Sequence, residues 1–224
     1  LYDNFSPVRD LFSQADSLSR ELSISRLCFH SSLADLTACA SCQPSIFTVS
    51  VACLLALQSE YPFSPACCAG LSLGEYSALY ASGAYDFASA FQLVAARGRF
   101  MDEACLAEPG AMAALLGVDL AIIDEICQKY SLEIANYNCP GQIIISGKKA
   151  SIEAAVADLR SAGQRAMLLQ VAGAYHSSLM KTAEAAFSLY LEKFPASMPE
   201  CLLFQNYSAA VPASTEELQQ NLIN

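Results

Sequence analysis

Basic residues are scarce in this chain of 224 residues, and only two histidines occur. Twelve Lys and Arg accompany 22 Asp and Glu, and the formal net charge of −10 argues against nonspecific binding to nucleic acid. No stretch of about 18 uncharged apolar residues occurs, so no membrane span is predicted. The most apolar stretch, 46–57, contains Thr48 and Ser50 and predicts a buried helix. No secretory signal, internal repeat or low-complexity linker is visible.

Hydrophobic residues, in contrast, make up 54% of the chain and charged residues only 15%, which predicts a globular protein of one large domain or two modest ones. Ten cysteines are present, but Cys39-x-x-Cys42 has neither a second pair nor a histidine at zinc spacing, so no metal site is predicted. Four cysteines in apolar runs are expected to be small core residues: Cys53, Cys67, Cys68 and Cys127. Reduced thiols of this kind favour a reducing, cytoplasmic location.

The spacing of apolar residues predicts an α/β protein whose first part is mostly helical. Residues 7–60 have helical spacing, with a long apolar helix at 45–58 after Pro44. Asp86 is a predicted N-cap for a helix from 87 to about 103.

Over residues 110–172, short apolar runs alternate with segments of helical spacing, which predicts the β-α-β-β-α-β order of a ferredoxin-like subdomain. Its predicted strands are 111–116, 132–136, 142–146 and 166–171, and its predicted helices are 120–130 and 151–161. We interpret it as an insertion into a larger, α/β-hydrolase-like parallel-sheet subdomain that residues 1–109 and 173–224 form.

The sequence Gly70-Leu71-Ser72-Leu73-Gly74 is a G-x-S-x-G motif in the setting of a nucleophile elbow. The apolar run 66–69 before it predicts a buried parallel strand, and residues 75–80 after it predict the first turns of a helix. Such a turn exposes the serine hydroxyl, and the flanking glycines avoid Cβ clashes. The amides at the helix N-terminus would face any developing negative charge. An ordinary strand-to-helix turn has the same pattern, so a structural interpretation stands beside the catalytic one.

His176 is the better candidate for a general base of the two histidines. It follows Ser72 in the chain, which is the order of α/β-hydrolase-type sites, and it comes directly after the predicted insertion. A neutral imidazole can take the serine proton and return it to a leaving thiol. His30 lacks a glycine-rich setting and is interpreted as a helix-end histidine. Arg97, taken alone, is interpreted as a surface helix arginine.

Six motifs extend over nearly the whole chain. They are Gln43-Pro44-Ser45-Ile46, Gly70 to Tyr76, Arg97-Gly98-x-x-Met101, Gly110 to Gly117, Asn136-x-Asn138-x-Pro140-Gly141-Gln142 with Ser146-Gly147, and Tyr175-His176-Ser177-x-x-Met180. In type and order they resemble the malonyl-CoA:acyl carrier protein transacylases of fatty-acid synthesis and the acyltransferase domains of polyketide synthases. Leu71 departs from the histidine usual in that family. The family's first strand with its GQGSQ loop and its last segment have no counterpart, so we expect a poorly active fragment truncated at both ends.

The resemblance implies that a malonyl group passes from coenzyme A to the phosphopantetheine thiol of acyl carrier protein through an ester on Ser72, with no bound cofactor. It implies that His176 is the general base and acid. The amide of Leu73 would donate to the oxyanion, and Arg97 would pair with the malonyl carboxylate. Further substrate-binding residues implied by the resemblance are Met101, Asn138, Gln142 and Tyr175. The aromatic ring of the last would leave no space for a methylmalonyl branch.

The implied partners are malonyl-CoA and acyl carrier protein, and we expect a monomer. Four basic residues of the insertion are candidates for carrier docking, although solvated helix charges are the preferred explanation of them: Lys148, Lys149, Arg160 and Arg165. Three alternatives stand: a serine hydrolase or thioesterase on the same scaffold, a transferase for another acyl group, and a non-catalytic carrier-binding module. A hydrolase of neutral acyl groups has no use for Arg97. The presence of Ser72, His176 and Arg97 together argues against the module.

Overall fold

The computed structural model describes residues 1–19 and 22–223. The chain divides into two compact units. The first unit is Leu1–Arg99 with Ala186–Asn224, and the second unit is Phe100–Ala185. The subdomain limits inferred from the sequence, 1–109 with 173–224 and 110–172, stay a prediction.

The described residues form helices α1 to α9 and strands β1 to β6. In chain order they are α1 (Ser6–Leu18), α2 (Ile24–His30), α3 (Cys39–Glu60), β1 (Cys67–Ala69), α4 (Leu73–Ala81), α5 (Phe87–Ala107), β2 (Gly110–Leu116), α6 (Leu120–Tyr130), β3 (Glu133–Cys139), β4 (Gln142–Lys148), α7 (Lys149–Ser161), β5 (Arg165–Leu168), α8 (Lys181–Leu191), β6 (Leu202–Phe204) and α9 (Thr215–Ile223). A short 3-10 helix, Ser178–Met180, precedes α8.

The helix expected at 45–58 is longer than the sequence indicated, because α3 begins at Cys39 and passes through Pro44. Proline lacks the N–H that would bond to the carbonyl four residues earlier, which normally ends or kinks a helix. Here Gln43, Pro44 and Ser45 are all buried, and the Thr48 hydroxyl donates to the Pro44 carbonyl at 2.8 Å. Tertiary packing therefore overrides the local preference, and the prediction that the helix starts after Pro44 was wrong.

Among the described helices, α3 is also the one with the length and apolar composition of a membrane span. Half of its most apolar window is buried inside the structure. One apolar row of α3 faces outward, with Ile46, Val49, Cys53 and Leu57 exposed. Length and composition of this kind are shared by the core helices of water-soluble proteins.

The parallel sheet of the first unit pairs β1 with β6, with Cys67 opposite Leu202 and Ala69 opposite Phe204. The carboxyl ends of the two strands lie at the same edge, so the turn after β1 adjoins the residues after β6. The sequence predicted a buried strand here, but Cys67 and Ala69 are exposed and only Cys68 is half-buried. The residues that alternate with Cys68 and Leu203 are exposed, so one face of this two-stranded sheet is uncovered, whereas Leu203 on the other face is buried.

The expectation that four cysteines belong to the core is wrong for two of them. Cys53 lies on the exposed row of α3 and Cys67 lies on the uncovered face of β1, whereas Cys68 and Cys127 are half-buried. Burial and, next in size, the Cys201 thiol with its Sγ 3.6 Å away together raise the pKa of Cys68 to about 11. All ten cysteines belong to the described residues and carry thiols.

The sheet of the second unit has four strands in the order β3-β4-β2-β5, and every neighbouring pair is antiparallel. Side chains alternate between its two faces. Ala113 and Leu115 of β2 belong to a buried core with residues of α6 and α7. Met112 and Ala114 lie in a smaller buried cluster with Ile144.

The elements β2, α6, β3, β4, α7 and β5 follow one another in the order that the spacing predicted for 110–172. The hairpin strand β3 is longer than expected and reaches Cys139 rather than 136. Gly141, with φ +83°, closes a tight turn between β3 and β4. The hydrogen-bonded pairing of the two strands therefore continues to Cys139 and Gln142, beyond the apolar residues from which the strand was predicted.

Candidate active site

The serine of the G-x-S-x-G motif lies on a strained turn between β1 and α4. Ser72 has φ 51° and ψ −110°, which is uncommon for a residue with a Cβ. A Cβ on Gly70 would overlap the carbonyl group of Gly74, so only glycine fits there. A Cβ on Gly74 would meet open space. The predicted elbow geometry is therefore present, and the glycine requirement applies to Gly70 alone.

Asn206 binds the backbone of this turn, which the sequence did not indicate. The Ser72 N–H donates to Asn206 Oδ1 at 2.7 Å. The Asn206 N–H in turn donates to Glu75 Oε1 at 3.2 Å. Asn206 comes two residues after β6, and the parallel pairing of β6 with β1 brings it to the turn. The two partners are 134 residues apart in the chain.

Glu75 and Gln205 form a buried polar pair behind the turn, with exposed fractions of 5% and 1%. Gln205 Nε2 donates to Glu75 Oε1 at 3.4 Å and to the Leu218 carbonyl at 3.0 Å, and Asn221 Nδ2 donates to Gln205 Oε1 at 2.8 Å. Burial raises the pKa of Glu75, while the donors from Asn206 and Gln205 and the charge of Arg97 oppose that rise. The carboxyl group is thus held by hydrogen bonds inside the first unit.

Arg97 on α5 contacts the serine directly. Its Nη2 donates to Ser72 Oγ at 2.9 Å, and its Nη1 donates to Gln43 Oε1 at 2.7 Å. The guanidinium also lies over the Tyr76 ring, 5.8 Å from the centroid. Gln43 is only 6% exposed, so one end of the guanidinium is fixed by a buried amide. A planar cation beside the hydroxyl can bind a carboxylate through two parallel hydrogen bonds. The surface interpretation of Arg97 is wrong, since this side chain is half-buried against the motif.

Leu73 is the first residue of α4. Backbone N–H groups in a first helical turn have no acceptor within the helix, and the helix N-terminus carries partial positive charge. The oxyanion role predicted for the Leu73 amide is compatible with this place and stays a prediction.

The loop that carries His176 belongs to the second unit and is held by short polar contacts. His176 is exposed and has φ 55°, again an uncommon value for a residue with a Cβ. Next to it, Ser177 Oγ donates to the Ala174 carbonyl at 2.7 Å. The Ser178 N–H and hydroxyl both donate to Glu133 Oε1, at 2.9 Å and 2.5 Å. These contacts hold both sides of the strained residue.

Tyr175 and the pair of Asn138 and Gln142 lie in different parts of the second unit. Tyr175 is half-buried against the cluster of Met112, Ala114 and Ile144. Asn138 Nδ2 donates to Gln142 Oε1 at 3.2 Å across the β3–β4 hairpin. That pair lies at the opposite end of β3 from Glu133.

Met101 is buried within α5, four residues after Arg97. Ser72, Leu73 and Arg97 thus belong to the first unit, whereas the other five candidates belong to the second. His30 lies at the end of α2, as expected, but it is exposed rather than partly buried. Within residues 1–19 and 22–223, no group of three His, Cys, Asp or Glu is placed to hold a metal ion.

Comparison with known proteins gives the family. The acyl transferase domain matches residues 2–221. A malonyl CoA-acyl carrier protein transacylase of Bacillus subtilis is 37% identical over 229 residues, covering 100% of this chain and 72% of the relative. The chain belongs to this transacylase family. A transacylase of the same description from Staphylococcus aureus is 40% identical over 187 residues, which cover 81% of this chain and 60% of the relative.

The fold agrees with solved structures of the transacylase family. A malonyl-transacylase in complex with a type II polyketide synthase acyl-carrier protein superposes with a TM-score of 0.91 at 31% identity, and the match covers 99% of this chain and 73% of that one. A mixed α/β architecture with one parallel and one antiparallel sheet is thereby confirmed. This chain spans between 60% and 73% of the length of the relatives described.

Proposed function

We propose that this chain is an [acyl-carrier-protein] S-malonyltransferase, which moves a malonyl group from coenzyme A to the phosphopantetheine thiol of acyl carrier protein and so supplies fatty-acid or polyketide synthesis. The observation that carries the proposal is the hydrogen bond from Arg97 to Ser72 Oγ at 2.9 Å. This contact brings a cation that fits a free carboxylate to the serine held in elbow geometry. Family membership supports the same activity.

The reaction runs in two half-reactions through Ser72. In the first, the Ser72 oxygen attacks the malonyl thioester while His176 takes the hydroxyl proton, the C–S bond breaks, and His176 protonates the coenzyme A thiolate. In the second, His176 deprotonates the phosphopantetheine thiol, whose sulfur attacks the ester carbon; the C–O bond to Ser72 breaks, and His176 returns the proton to the Ser72 oxygen. The Leu73 amide donates to the oxyanion in both steps. The exchange balances without an external oxidant or reductant.

Arg97 selects the acyl group in this proposal. A malonyl group carries a carboxylate at the end away from the thioester, and a guanidinium can bind it bidentately. Gln43 keeps one edge of the guanidinium occupied, which limits how it can turn. The alternative, a hydrolase for neutral acyl groups, gives this half-buried cation no role.

The roles of the other candidates follow from the family resemblance. Met101, Asn138 and Gln142 would line the path of the substrate, and Tyr175 would exclude a methyl branch. The hydrogen bond between Asn138 and Gln142 and the packing of Tyr175 against a small buried cluster support side chains with defined orientations. Discrimination against one methyl group of this kind reaches roughly 10- to 200-fold.

The two units are assigned to an α/β-hydrolase-like subdomain and a ferredoxin-like subdomain. The nucleophile turn after a parallel strand supports the first assignment. The antiparallel strand order β3-β4-β2-β5, with α6 and α7 in one core with it, supports the second.

Acyl carrier protein is the proposed partner, because a related transacylase was solved in complex with one. Lys148, Lys149, Arg160 and Arg165 are all exposed and would be available to an acidic partner. Ten thiols favour a cytoplasmic location, and a monomer stays the expected state.

The test is an initial-rate assay with malonyl-CoA and phosphopantetheinylated acyl carrier protein. Malonyl transfer with parallel-line kinetics supports the ping-pong transferase, and carrier protein without its phosphopantetheine is the matched control. Release of free malonate at the same rate with and without carrier protein would instead identify a hydrolase.

A further inference from the structure

The backbone at Ser72 is in a conformation that needs support from its surroundings. A φ of 51° on a residue with a Cβ is strained, and such strain persists only where neighbouring groups hold the chain in place. If the turn relaxed, the hydroxyl of Ser72 and the amide of Leu73 would both move, because they lie on successive residues. The contacts that hold this turn therefore determine the positions of both the Ser72 hydroxyl and the Leu73 amide, the proposed oxyanion donor.

Three hydrogen bonds close a ring around the turn. The Ser72 N–H donates to Asn206 Oδ1 at 2.7 Å, the Asn206 N–H donates to Glu75 Oε1 at 3.2 Å, and the Glu75 N–H donates to the Ser72 carbonyl at 3.1 Å. The Asn206 bond fixes the orientation of the peptide that enters Ser72. The Glu75 bond to the carbonyl fixes the peptide that leaves it.

Asn206 is itself held from the buried side. Gln205, the residue before it, is 1% exposed and accepts or donates four hydrogen bonds beyond Glu75. Its partners are the Ala210 carbonyl at 3.1 Å, the Ala209 N–H at 2.9 Å, the Leu218 carbonyl at 3.0 Å and Asn221 Nδ2 at 2.8 Å. Asn206, in contrast, is exposed. Truncating its side chain would open no cavity, whereas the hydrogen bond from the Ser72 N–H to Asn206 Oδ1 would be removed.

The chemistry of the acceptor also suits the site. A carboxamide oxygen accepts the Ser72 N–H without bringing a negative charge near the substrate carbonyl oxygen that becomes the oxyanion. We infer that Asn206, anchored through Glu75, is a positioning residue that holds the Ser72 turn in its reactive conformation. This inference rests on the proposed transferase function and adds a residue to it.

The experiment compares Asn206→Ala, Asn206→Asp and Ser208→Ala with the wild type. Ser208 lies in the same exposed turn and bonds only to Ala210 in the described contacts, so its variant is the matched control. We expect Asn206→Ala to slow acylation of Ser72 by malonyl-CoA roughly 10- to 100-fold, as for a small misplacement of a reacting group. The KM for malonyl-CoA stays within about twofold, since binding is untouched. Asn206→Asp keeps an acceptor but adds a negative charge, so its rate should lie between those of Asn206→Ala and the wild type.

Thermal unfolding of each variant separates positioning from stability, and the midpoint is expected to stay within about 2 °C of the wild type. A second probe, a small fluorophosphonate that labels activated serines, separates this inference from the proposed function. Slower labelling of Asn206→Ala by both reagents supports the inference. Slower labelling by the fluorophosphonate alone, with no malonyl adduct on the wild type, rejects the transferase and keeps the positioning role. The positioning role would be overturned if Asn206→Ala reacted with both reagents at the wild-type rate. It would also be overturned if Asn206→Ala and Asn206→Asp lost the same fraction of the rate and unfolded at a lower temperature than the wild type.

Discussion

Arg97 is the side chain that would tell a malonyl group from a neutral acyl group, because its guanidinium already lies at Ser72 Oγ. In Arg97→Ala the malonyl carboxylate loses its partner, at a cost of about 2–5 kcal/mol for a buried charge pair. An acetyl group does not need that partner. We therefore expect the ratio of the acylation rate with malonyl-CoA to that with acetyl-CoA to fall in Arg97→Ala. Arg97→Lys should lie between the wild type and Arg97→Ala, because lysine keeps the charge but cannot donate two parallel hydrogen bonds to a carboxylate. An unchanged ratio in Arg97→Ala would exclude this role.

The buried carboxyl group of Glu75 should make the free energy of unfolding depend on pH. Burial raises its pKa, so the folded protein holds this proton more tightly than the unfolded chain, whose reference value is 4.5. Its stabilising contribution is therefore complete below about pH 4.5 and is lost as the pH rises through the higher pKa of the folded state. Glu75→Gln offers the same acceptor atom and does not titrate.

The free energy of unfolding of the wild type minus that of Glu75→Gln should accordingly decrease as the pH rises from about 4 to 7. Urea unfolding of both proteins at several pH values measures the difference. A difference that is constant, or that grows with pH, would contradict the direction assigned to the pKa of Glu75.

At the scale of secondary-structure elements, the sequence predicted those parts that depend on local pattern. The strand–turn–helix around Ser72, the capped helix after Asp86 and the strand and helix order of 110–172 all depend on neighbouring residues, and all are present. Asn206 escaped prediction because its contact with Ser72 requires two strands of three residues to pair in parallel. Runs so short carry no periodicity from which a register can be inferred.

The loop of His176 depends on an element contact that can be tested. Glu133 of β3 accepts the N–H and hydroxyl of Ser178, two residues after the strained His176. We expect Glu133→Ala to slow acylation of Ser72 roughly 10- to 100-fold, because His176, the proposed general base, would lose its alignment. Glu133→Gln keeps an acceptor and should recover most of the rate. Glu153 is an exposed glutamate on α7, and Glu153→Ala is the control. If Glu133→Ala is acylated as fast as this control, the contact between Glu133 and Ser178 does not influence the acylation rate.

The N-terminus of α5 matters because the same helix carries Arg97. Asp86 Oδ1 accepts the Ser89 N–H at 2.7 Å, which is the N-cap contact expected from the sequence. Asp86→Ala should lower the free energy of unfolding by about 0.5–2 kcal/mol, and Asp86→Ser should restore most of it. Chemical denaturation of the three proteins measures this, and equal stability of wild type and Asp86→Ala would show that the cap contributes nothing.

At the scale of the whole molecule, family and activity were predictable because six motifs occur in one order along nearly the whole chain. The polar network behind Ser72 was not, because Gln205, Asn206 and Asn221 lie outside every one of those motifs. Core membership of the cysteines also failed, since apolar neighbours in sequence do not say which side of α3 or β1 meets solvent. The motifs in the sequence therefore identify the reactive residues, whereas the pairing of β1 with β6 determines which distant residues support Ser72.

The central claim is that Ser72 carries the malonyl group, and intact mass spectrometry after brief mixing with malonyl-CoA tests it most directly. The wild type should gain one malonyl group, which peptide mapping should place on Ser72. Ser72→Ala should gain none, while Ser77→Ala, on the same helix, should behave as the wild type. Addition of phosphopantetheinylated acyl carrier protein should then remove the adduct and malonylate the carrier. A malonyl adduct that persists in Ser72→Ala, or a wild type that forms none, would contradict the account.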